Sequence, residues 1–375
     1  MRAEPLIEGR ATEAGTARYA AARAPAIPAE HFRHFPALGV LSSLGIGTYL
    51  GREDPATDAL YRRAIARAVE RGLNVIDTAV NYRHQRSERV VGAALADLLD
   101  RGLVRRDEVV VATKGGYIPL DADAGLDPRA YVTETFLKPG ILRPEDVVGG
   151  THCMTPRYLE DQIERSRRNL GLATLDIYFL HNPESQLPEV ERTEFLERLR
   201  AAFETLERAV AAGRVVVYGA ATWHGFRRLP TERDHLSLAE LVDAARAVAG
   251  EAHHFRVIQL PYNLGMTEAF TRATQRVGDE FVPALEAARR LGIYVMASAS
   301  VHQGQLTRNL PAVLADYLPG TTTDAQRALQ FVRSTPGVGT ALVGMKTLAH
   351  VEENAGVAAL PPMPWTEFRR LFTAA

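Results

Sequence analysis

The chain has 375 residues, 46% of them hydrophobic and 24% charged, with 44 basic and 45 acidic side chains and a formal net charge of −1. This balance leaves no excess of positive charge for nucleic acid or for an anionic membrane surface. No apolar run approaches the roughly 18 residues of a membrane span. A single cysteine, Cys153, excludes a disulfide within the chain and fits a reducing compartment. We therefore expect a cytoplasmic protein with a sizeable core and no nucleic-acid or membrane partner.

Lysine is scarce in this sequence. Lys114, Lys138 and Lys346 are the only lysines among the 44 basic residues. A GC-rich genome that favours arginine codons is the simplest explanation of this bias. Because an ammonium is compact and its pKa shifts with burial, whereas a guanidinium stays charged, each retained lysine is a candidate for a specific role.

The chain begins with a stretch rich in Ala, Arg and Pro, residues 1–36, which lacks clear apolar periodicity. We predict an N-terminal extension there that is partly disordered or lies along the surface. Residues 37–375 repeat a pattern of short apolar run, polar loop and amphipathic helix. The predicted strands are Leu44–Tyr49, Leu73–Asp77, Glu108–Thr113, Leu175–Leu180, Val215–Ala220, Phe255–Leu260, Ile293–Ala297 and Thr340–Val343. The predicted helices lie near 58–72, 87–101, 156–170, 194–212, 237–249, 280–291, 324–334 and 349–357.

The alternation of these elements predicts the architecture. Eight strands alternating with eight helices are typical of an α/β protein, and their regularity favours a single-domain, closed (β/α)8 TIM barrel. An open, doubly wound sheet is the alternative. In a barrel, the C-terminal ends of the strands build the active site.

Two connections are longer than the roughly 2–6 residues that usually join a strand to a helix. An insertion spans residues 119–154, and a second long loop, 222–236, follows the fifth predicted strand. Both follow strands and so belong to the active-site face. We predict that the insertion folds over the barrel mouth as a lid or a subunit contact, with Tyr131 or Phe136 lining the pocket.

Titratable residues follow three consecutive predicted strands. Asp77 ends the second strand, and Tyr82 lies five residues beyond it. Lys114 ends the third strand and His181 ends the fourth. Singly, an Asp, Tyr or His at such a position is more often structural than functional. Neighbouring strand ends converge on one barrel mouth, however, which strengthens a functional interpretation of the group.

These four groups together suit the reduction of a carbonyl. A tyrosine with a pKa near 10 is a poor acid at neutral pH, and an ammonium beside Tyr82 stabilises the phenolate. Asp77 can supply the counter-charge that a buried Lys114 needs. His181 can donate a hydrogen bond to the carbonyl oxygen and orient it. The set contains no hydride donor, so a nicotinamide cofactor is required.

At these residues the chain resembles the aldo-keto reductase superfamily. The matching stretches are Gly45-Ile46-Gly47-Thr48, Asn74–Asn81 with Tyr82, Ser87–Leu95, Ala112-Thr113-Lys114, Tyr158–Leu180 with His181, Gln259–Asn263, Gln303-Gly304 and Gly344–Asn354. The resemblance covers roughly residues 38–357 apart from the insertion. It implies a barrel fold, NAD(P)(H)-dependent oxidoreduction and a catalytic tetrad of Asp77, Tyr82, Lys114 and His181. Tyr82 is the general acid of that tetrad.

The same resemblance implies a cofactor site. The chain lacks the Rossmann glycine fingerprint, and the phosphates are expected on the loops 300–306 and 344–347. Lys346 and Thr347 match residues that hold an adenosine 2′-phosphate, and His350 stands where many members have an arginine. Glu353 and Asn354 match the adenine contacts. The expected cofactor residues are Gly47, Thr48, Asp77, Thr222, Gln259, Ser298, Gly304, Lys346, Thr347, His350, Glu353 and Asn354.

Two positions depart from the family pattern. Ser298 stands where many members stack an aromatic ring on the nicotinamide, and Ala221-Thr222 replaces the Ser-Asn pair that holds the carboxamide. Gln259, the other carboxamide partner, is retained. We expect a nicotinamide that binds more weakly or in a different arrangement, in which Trp223 or a residue of the insertion takes over.

The sequence thus predicts an NADPH-preferring reductase of an aldehyde or ketone, which can equally oxidise the matching alcohol or sugar, with NAD as an alternative cofactor. The rival interpretation is a cofactor-sensing regulatory or binding protein of the same fold with little turnover. Arg83, Trp223 and His224 are candidates for the substrate pocket. No metal site is expected, because His152-Cys153 has no companions at metal-binding spacing. The sequence leaves substrate identity and oligomeric state open.

Overall fold

The computed structural model describes residues 5–372. The strands are β1 (Phe32–Phe35), β2 (Gly39–Ser42), β3 (Leu44–Gly47), β4 (Val75–Asp77), β5 (Val110–Gly115), β6 (Leu175–His181), β7 (Val215–Ala221), β8 (Phe255–Pro261), β9 (Ala273–Val277), β10 (Glu280–Pro283), β11 (Tyr294–Ser298) and β12 (Thr340–Gly344). The α-helices are α1 (Glu13–Ala21), α2 (Pro55–Glu70), α3 (Arg86–Asp100), α4 (Pro128–Val132), α5 (Pro156–Leu170), α6 (Arg192–Ala211), α7 (Leu238–Ala249), α8 (Glu268–Thr271), α9 (Ala284–Arg290), α10 (Leu314–Tyr317), α11 (Asp324–Ser334), α12 (Leu348–Ala355) and α13 (Trp365–Phe368). A π-helical turn follows α4 at Thr133–Leu137.

Eight strands form a closed parallel barrel. Around the barrel the order is β3, β4, β5, β6, β7, β8, β11 and β12, and β12 pairs with β3 to complete the ring. Each of these strands overlaps one of the eight predicted from apolar runs, and helices lie between them along the chain. The predicted (β/α)8 barrel is therefore confirmed.

The barrel strands are buried on both faces. In β6, Ile177 and Phe179 belong to the core inside the barrel, whereas Tyr178 and Leu180 pack in the layer between the sheet and the helices. Successive side chains of a strand point to opposite faces. Two buried faces explain why these strands read as continuous apolar runs and not as alternating patterns.

The N-terminal segment, predicted as an extension that is partly disordered or lies along the surface, packs against the barrel over its described residues. Tyr19 of α1 is fully buried, and its hydroxyl donates a hydrogen bond to the carbonyl oxygen of Val69 at 2.5 Å. Residues 5–36 are therefore tied to the barrel, and residues 1–4 of the predicted extension lie outside the described range. A short helix rich in Ala carries little apolar periodicity, so the pattern did not predict it.

An antiparallel hairpin of β1 and β2 closes the N-terminal end of the barrel. Phe35, Leu38 and Leu41 are buried in the same core as the inward-facing strand residues, and the Phe35 ring stacks on Tyr294 with centroids 4.7 Å apart. The boundary expected after residue 36 falls inside this hairpin.

The insertion, residues 119–154, has a small core of its own. Tyr131 and Phe136 pack there with Leu142, Cys153 and Tyr158. Neither Tyr131 nor Phe136 contributes to the wall of the cavity at the barrel mouth described below. The prediction that one of them lines the pocket is therefore wrong, because both rings find apolar neighbours within the insertion. Its role as a lid or subunit contact stays a prediction.

A second hairpin, outside the barrel, replaces the start of the helix predicted for residues 280–291. β9 and β10 pair antiparallel across a turn at Gly278, whose φ is +61°. The helix that follows, α9, covers only Ala284–Arg290. A Gly-Asp turn between apolar runs is a typical hairpin signal, and the helical interpretation overlooked it.

Candidate active site

A cavity of about 810 Å³ opens at the C-terminal ends of the barrel strands. Six barrel strands place their last residue in its wall. These residues are Gly47, Asp77, His181, Ala221, Ser298 and Gly344. This is the face on which barrels assemble active sites, since the loops that follow the strands converge there.

A buried ion pair lies beneath this cavity. Lys114 Nζ is 2.7 Å from Asp77 Oδ2 and also donates to the carbonyl oxygen of Thr78 at 2.8 Å. The Lys114 side chain is inaccessible to solvent and that of Asp77 is 6% exposed. The other Asp77 oxygen, Oδ1, accepts a hydrogen bond from Gln259 Nε2 at 2.8 Å. Burying two charges is costly, and these extra hydrogen bonds offset part of the cost.

Tyr82 joins this pair from the wall of the cavity. Its phenolic oxygen lies 3.3 Å from Lys114 Nζ. The ring is half-buried and makes an edge contact with His181, with centroids 5.8 Å apart. The four residues that the sequence singled out are thus brought together, and strands β4, β5 and β6 carry three of them.

The protonation states at this site follow from burial and charge. Burial raises the pKa of Tyr82, and the Lys114 ammonium opposes that rise without reversing it. Burial also acts to lower the pKa of Lys114, but the Asp77 carboxylate holds it above its usual value. Burial holds the pKa of His181 well below its ordinary value, and the Lys114 charge lowers it further. At neutral pH the site therefore holds a neutral phenol, an ammonium and a neutral imidazole.

Most of the expected cofactor residues line the cavity. Those in its wall are Gly47, Thr48, Asp77, Thr222, Gln259, Ser298, Gly304, Lys346, His350, Glu353 and Asn354. Thr347 is absent from the wall. Its hydroxyl oxygen caps α12 by accepting a hydrogen bond from the backbone N–H of His350 at 3.3 Å.

The loop after β11 has an unusual backbone. Ala299, His302 and Gln303 have φ values of +53°, +46° and +54°, and Gly304 follows with +91°. Non-glycine residues rarely adopt such values, and they cluster at functional sites. Left-handed residues next to right-handed ones turn successive N–H groups toward one point, which is a common way to bind an anion.

One of the three predicted pocket residues lines the cavity. Trp223 lies in the wall and is 37% exposed. Arg83 does not, because its guanidinium is buried, donates to the Arg52 carbonyl oxygen at 2.8 Å and pairs with Asp58 at 2.5 Å. His224 also lies outside the wall, with its exposed ring 3.9 Å from an oxygen of Asp234. Arg83 and His224 therefore lie outside the cavity wall, and a role for them in substrate binding stays a prediction.

Two tyrosines of the cavity wall that follow barrel strands, Tyr49 and Tyr117, were missed by the sequence analysis. Tyr49 follows β3, is 55% exposed, and its ring centroid lies 5.0 Å from that of Tyr82. Tyr117 follows β5 and faces His181, with centroids 5.1 Å apart. Both lie two residues beyond the end of a barrel strand, and that position was the signal that could have found them.

Residues 5–372 offer no candidate for a membrane-spanning helix or a metal centre. Within that range no helix is both long and apolar enough to cross a membrane. The same residues contain no group of three or more His, Cys, Asp or Glu side chains arranged to hold a metal ion.

Comparison with known proteins agrees with this architecture. The model of the aldo/keto reductase family matches residues 43–372. The chain belongs to the aldo/keto reductase family, as its resemblance to that superfamily predicted. Members of this family are oxidoreductases. The structure of a glycerol dehydrogenase from Gluconobacter oxydans is similar to that of this chain, with a TM-score of 0.63 at 19% identity. The match covers 92% of this chain and 95% of the dehydrogenase. An aldo/keto reductase from Klebsiella pneumoniae, in complex with NADP and acetate, has a TM-score of 0.59 at 23% identity, covering 91% and 95%.

The curated relatives are distant. An NADH-specific methylglyoxal reductase from Escherichia coli is 25% identical over 288 residues, which cover 75% of this chain and 69% of the relative. A prostaglandin-E(2) 9-reductase from Oryctolagus cuniculus is 27% identical over 164 residues, covering 44% of this chain. The match spans 39% of the length of that reductase, so less than half of it is compared.

Proposed function

We propose that this chain is an NADPH-dependent reductase of neutral aldehydes or ketones, with Tyr82 as the general acid. The observation that carries the proposal is the meeting of the Tyr82 phenol, the Lys114 ammonium, the Asp77 carboxylate and the His181 imidazole at one cavity. A phenol beside a fixed ammonium suits protonation of an oxygen that gains negative charge. The reverse reaction, oxidation of an alcohol or a sugar, uses the same groups.

The cavity fits a nicotinamide dinucleotide. The left-handed loop 299–304 suits a pyrophosphate. Asn354 Oδ1 faces this region as a buried acceptor that has no hydrogen-bond partner within residues 5–372, and an adenine amino group would satisfy it. Gln259 lies in the cavity wall, where its side chain would bind the carboxamide of the nicotinamide. When bound, the nicotinamide supplies the hydride.

The protein groups handle the proton. Tyr82 donates the proton from its hydroxyl to the carbonyl oxygen, and Lys114, 3.3 Å away, stabilises the phenolate that remains. Asp77 keeps Lys114 charged and in place through their 2.7 Å contact. The neutral imidazole of His181 offers an N–H to the same carbonyl oxygen and orients it. Tyr49 and Trp223 form part of the wall and help to exclude water.

The basic residues in one part of the cavity wall favour NADPH, because NADPH carries a 2′-phosphate that NADH lacks. Lys114 and Lys138 are paired with carboxylates, whereas the exposed Lys346 has no ion pair within the described part of the chain and lies in the cavity wall. His350 lies in the same wall. A free ammonium at this place suits a phosphate dianion. NADH remains an alternative, since the Escherichia coli relative is an NADH-specific methylglyoxal reductase.

Neutral substrates are favoured by the charges near Tyr82. Arg83, the nearest arginine in sequence, points away from the cavity and pairs with Asp58. The wall around Tyr82 is supplied by Tyr49, Tyr117 and Trp223. No arginine belongs to the wall within the described range, so a carboxylate on the substrate has no guanidinium to receive it.

The single, buried Cys153 supports our inference of a cytoplasmic location.

Binding and turnover test the proposal in one series. Fluorescence titrations of the purified protein with NADPH and NADH are followed by NADPH-consumption assays with benzaldehyde, methylglyoxal and a neutral aldose. para-Carboxybenzaldehyde is the charged counterpart of benzaldehyde. We expect tighter binding of NADPH than of NADH and turnover of benzaldehyde in preference to its carboxylate. Tight binding without turnover of any substrate supports the cofactor-sensing alternative instead, and no binding of either cofactor rejects both.

A further inference from the structure

We infer that His152, from the insertion, is a positioning residue for His181. On this account the insertion holds a catalytic residue in place from outside the cavity wall. The inference rests on the proposed function, because it takes His181 as a catalytic residue. Three observations carry it: the hydrogen bond between the His152 ring and the His181 carbonyl oxygen, the contact of the Tyr117 ring with both imidazoles, and the close approach of both bonded groups to Gly116.

The insertion closes on itself beside the site. Tyr117, just before it, pairs with His152, near its end, in an antiparallel bridge. The Cys153 N–H donates to the Gly116 carbonyl oxygen at 2.8 Å, and the Ile118 N–H donates to the Thr151 carbonyl oxygen at 2.8 Å. The two ends of a long excursion therefore meet where β5 ends.

The imidazole of His152 bridges two chain segments. Its Nε2 lies 2.8 Å from the carbonyl oxygen of His181, and its Nδ1 lies 3.0 Å from Nε2 of Gln186. A carbonyl oxygen can only accept, so Nε2 carries the proton and Nδ1 accepts from the Gln186 amide. One neutral tautomer satisfies both contacts. Burial, which leaves His152 only 2% exposed, lowers its pKa to about 4 and keeps that tautomer uncharged.

The carbonyl group that His152 contacts belongs to the last residue of a barrel strand. His181 is the last residue of β6, and Asn182 after it is left-handed with φ +49°. The ring of Tyr117 contacts both imidazoles, with centroids 5.2 Å from His152 and 5.1 Å from His181. Its hydroxyl accepts a hydrogen bond from Asn182 Nδ2 at 3.1 Å. His181 is thus supported at its peptide and on its ring face by residues at the base of the insertion.

Gly116 leaves the room that this contact needs. Its φ is +146°, and a Cβ built there would lie 2.9 Å from His152 Nε2 and 2.9 Å from the His181 carbonyl oxygen. Any side chain at this position would push the two bonded groups apart. The contact therefore depends on this glycine, which the positive φ also favours.

His152 can act on the reaction only through its neighbours, since it is not part of the cavity wall. Losing its N–H would free the His181 peptide and let the ring shift. Misplacement of a catalytic group by about 1 Å can cost a hundredfold in rate. The expected effect is a fall in kcat, with little change in cofactor affinity.

The test compares three variants and one control variant with the wild type. His152→Leu removes the hydrogen bonds, whereas His152→Gln keeps an N–H donor at a similar reach. Gln186→Met removes the second contact and is the alternative if the leucine variant does not fold. His235→Leu is the matched control. His235 is also buried, and its Nε2 lies 2.9 Å from the backbone carbonyl oxygen of Thr274. It does not belong to the wall of the active-site cavity.

Three quantities are measured for each protein: kcat and KM with NADPH and an aldehyde, the Kd for NADPH, and the NMR signals of the His181 imidazole, assigned with a His181→Ala variant. We expect kcat of His152→Leu to fall on the order of 10- to 100-fold with an unchanged NADPH Kd. We also expect shifted or broadened His181 signals, recovery in His152→Gln and no such change in His235→Leu.

The inference is overturned if His152→Leu leaves kcat and the His181 signals unchanged, or if His235→Leu produces the same losses. Failure of the proposed function has a different signature, namely a wild type that turns over no carbonyl substrate. In that case the NMR arm still decides whether His152 fixes His181.

Discussion

The ammonium of Lys114 lies 3.3 Å from the phenolic oxygen of Tyr82 and 4.8 Å from the centroid of its ring. This contact puts a positive charge beside the proposed acid, while the Asp77 carboxylate neutralises it from the other side. The three groups are linked, so removing one changes both stability and chemistry.

Breaking the buried pair should destabilise the barrel. Lys114→Met leaves the Asp77 carboxylate buried without its partner, and we expect a loss of about 3–5 kcal/mol in the free energy of unfolding. The double variant Lys114→Met with Asp77→Asn should recover part of that loss, because neither charge remains. Thermal unfolding of the single and double variants measures the difference. A single variant as stable as the wild type contradicts the buried pair.

Acid should destabilise the protein through buried neutral histidines. Burial lowers the pKa of His31 to about 3 and that of His152 to about 4, against about 6.5 in the unfolded chain. The unfolded state therefore takes up protons first, so this stability is complete above about pH 6.5 and falls as the pH drops toward the folded pKa. Each histidine contributes a slope of about 1.4 kcal/mol per pH unit in that window.

The variant His31→Gln tests this slope at a site remote from the cavity. His31 is fully buried and bonds the Gly72 carbonyl oxygen at 3.1 Å, whereas His34, three residues later, is exposed. Unfolding midpoints between pH 7 and pH 5 should fall less steeply in His31→Gln than in the wild type. His34→Gln is the control and should retain the wild-type dependence. Equal slopes in all three proteins would count against a buried neutral His31.

Selectivity between the two cofactors should depend on Lys346. In Lys346→Met we expect the NADPH affinity to fall about tenfold, the weaker end of the range for a hydrogen bond to a charged group, with NADH affinity unchanged. Lys138→Met is the matched control, because Lys138 is exposed in the insertion and pairs with Glu134. Fluorescence titrations of the wild type and both variants with both cofactors give six affinities to compare. A parallel loss for NADH would show that Lys346 does not read the 2′-phosphate.

Arg83 should matter for stability and not for substrate affinity. Its buried guanidinium bonds the Arg52 carbonyl oxygen and the Asp58 carboxylate, so Arg83→Met should cost about 1.5–3 kcal/mol in the free energy of unfolding. The neighbouring Arg52, whose side chain is 90% exposed, supplies the control Arg52→Met. Thermal unfolding and KM values are compared for both. A raised KM at unchanged stability would return Arg83 to the substrate pocket.

The barrel could be predicted because its signal is local. Each strand is an apolar run bounded by polar loops, and a residue at the C-terminal end of a strand, such as Asp77 or His181, must lie at the common mouth. What lies beyond the strand end could not be predicted in the same way. Arg83 follows Tyr82 directly, yet its left-handed φ of +47° turns its side chain toward Asp58.

The insertion was the hardest part to interpret from sequence. Tyr131 and Phe136 looked like pocket residues because they are aromatic and follow a barrel strand. Their burial depends on contacts within the insertion. It also depends on a hydrogen bond from outside the insertion, in which Gln85 Nε2 donates to the Tyr131 hydroxyl at 2.9 Å. No sequence pattern predicted a supporting role for His152. Its contact with His181 joins residues 29 positions apart and has no counterpart in sequence spacing.

The central claim, that Tyr82 is the proton donor of a carbonyl reductase, is tested most directly by Tyr82→Phe. NADPH consumption with a turned-over aldehyde and the NADPH Kd are measured for this variant and the wild type. The account predicts that kcat falls on the order of 10²- to 10⁴-fold, the usual contribution of a general acid, while the NADPH Kd stays the same. Turnover by Tyr82→Phe at the wild-type rate would contradict it.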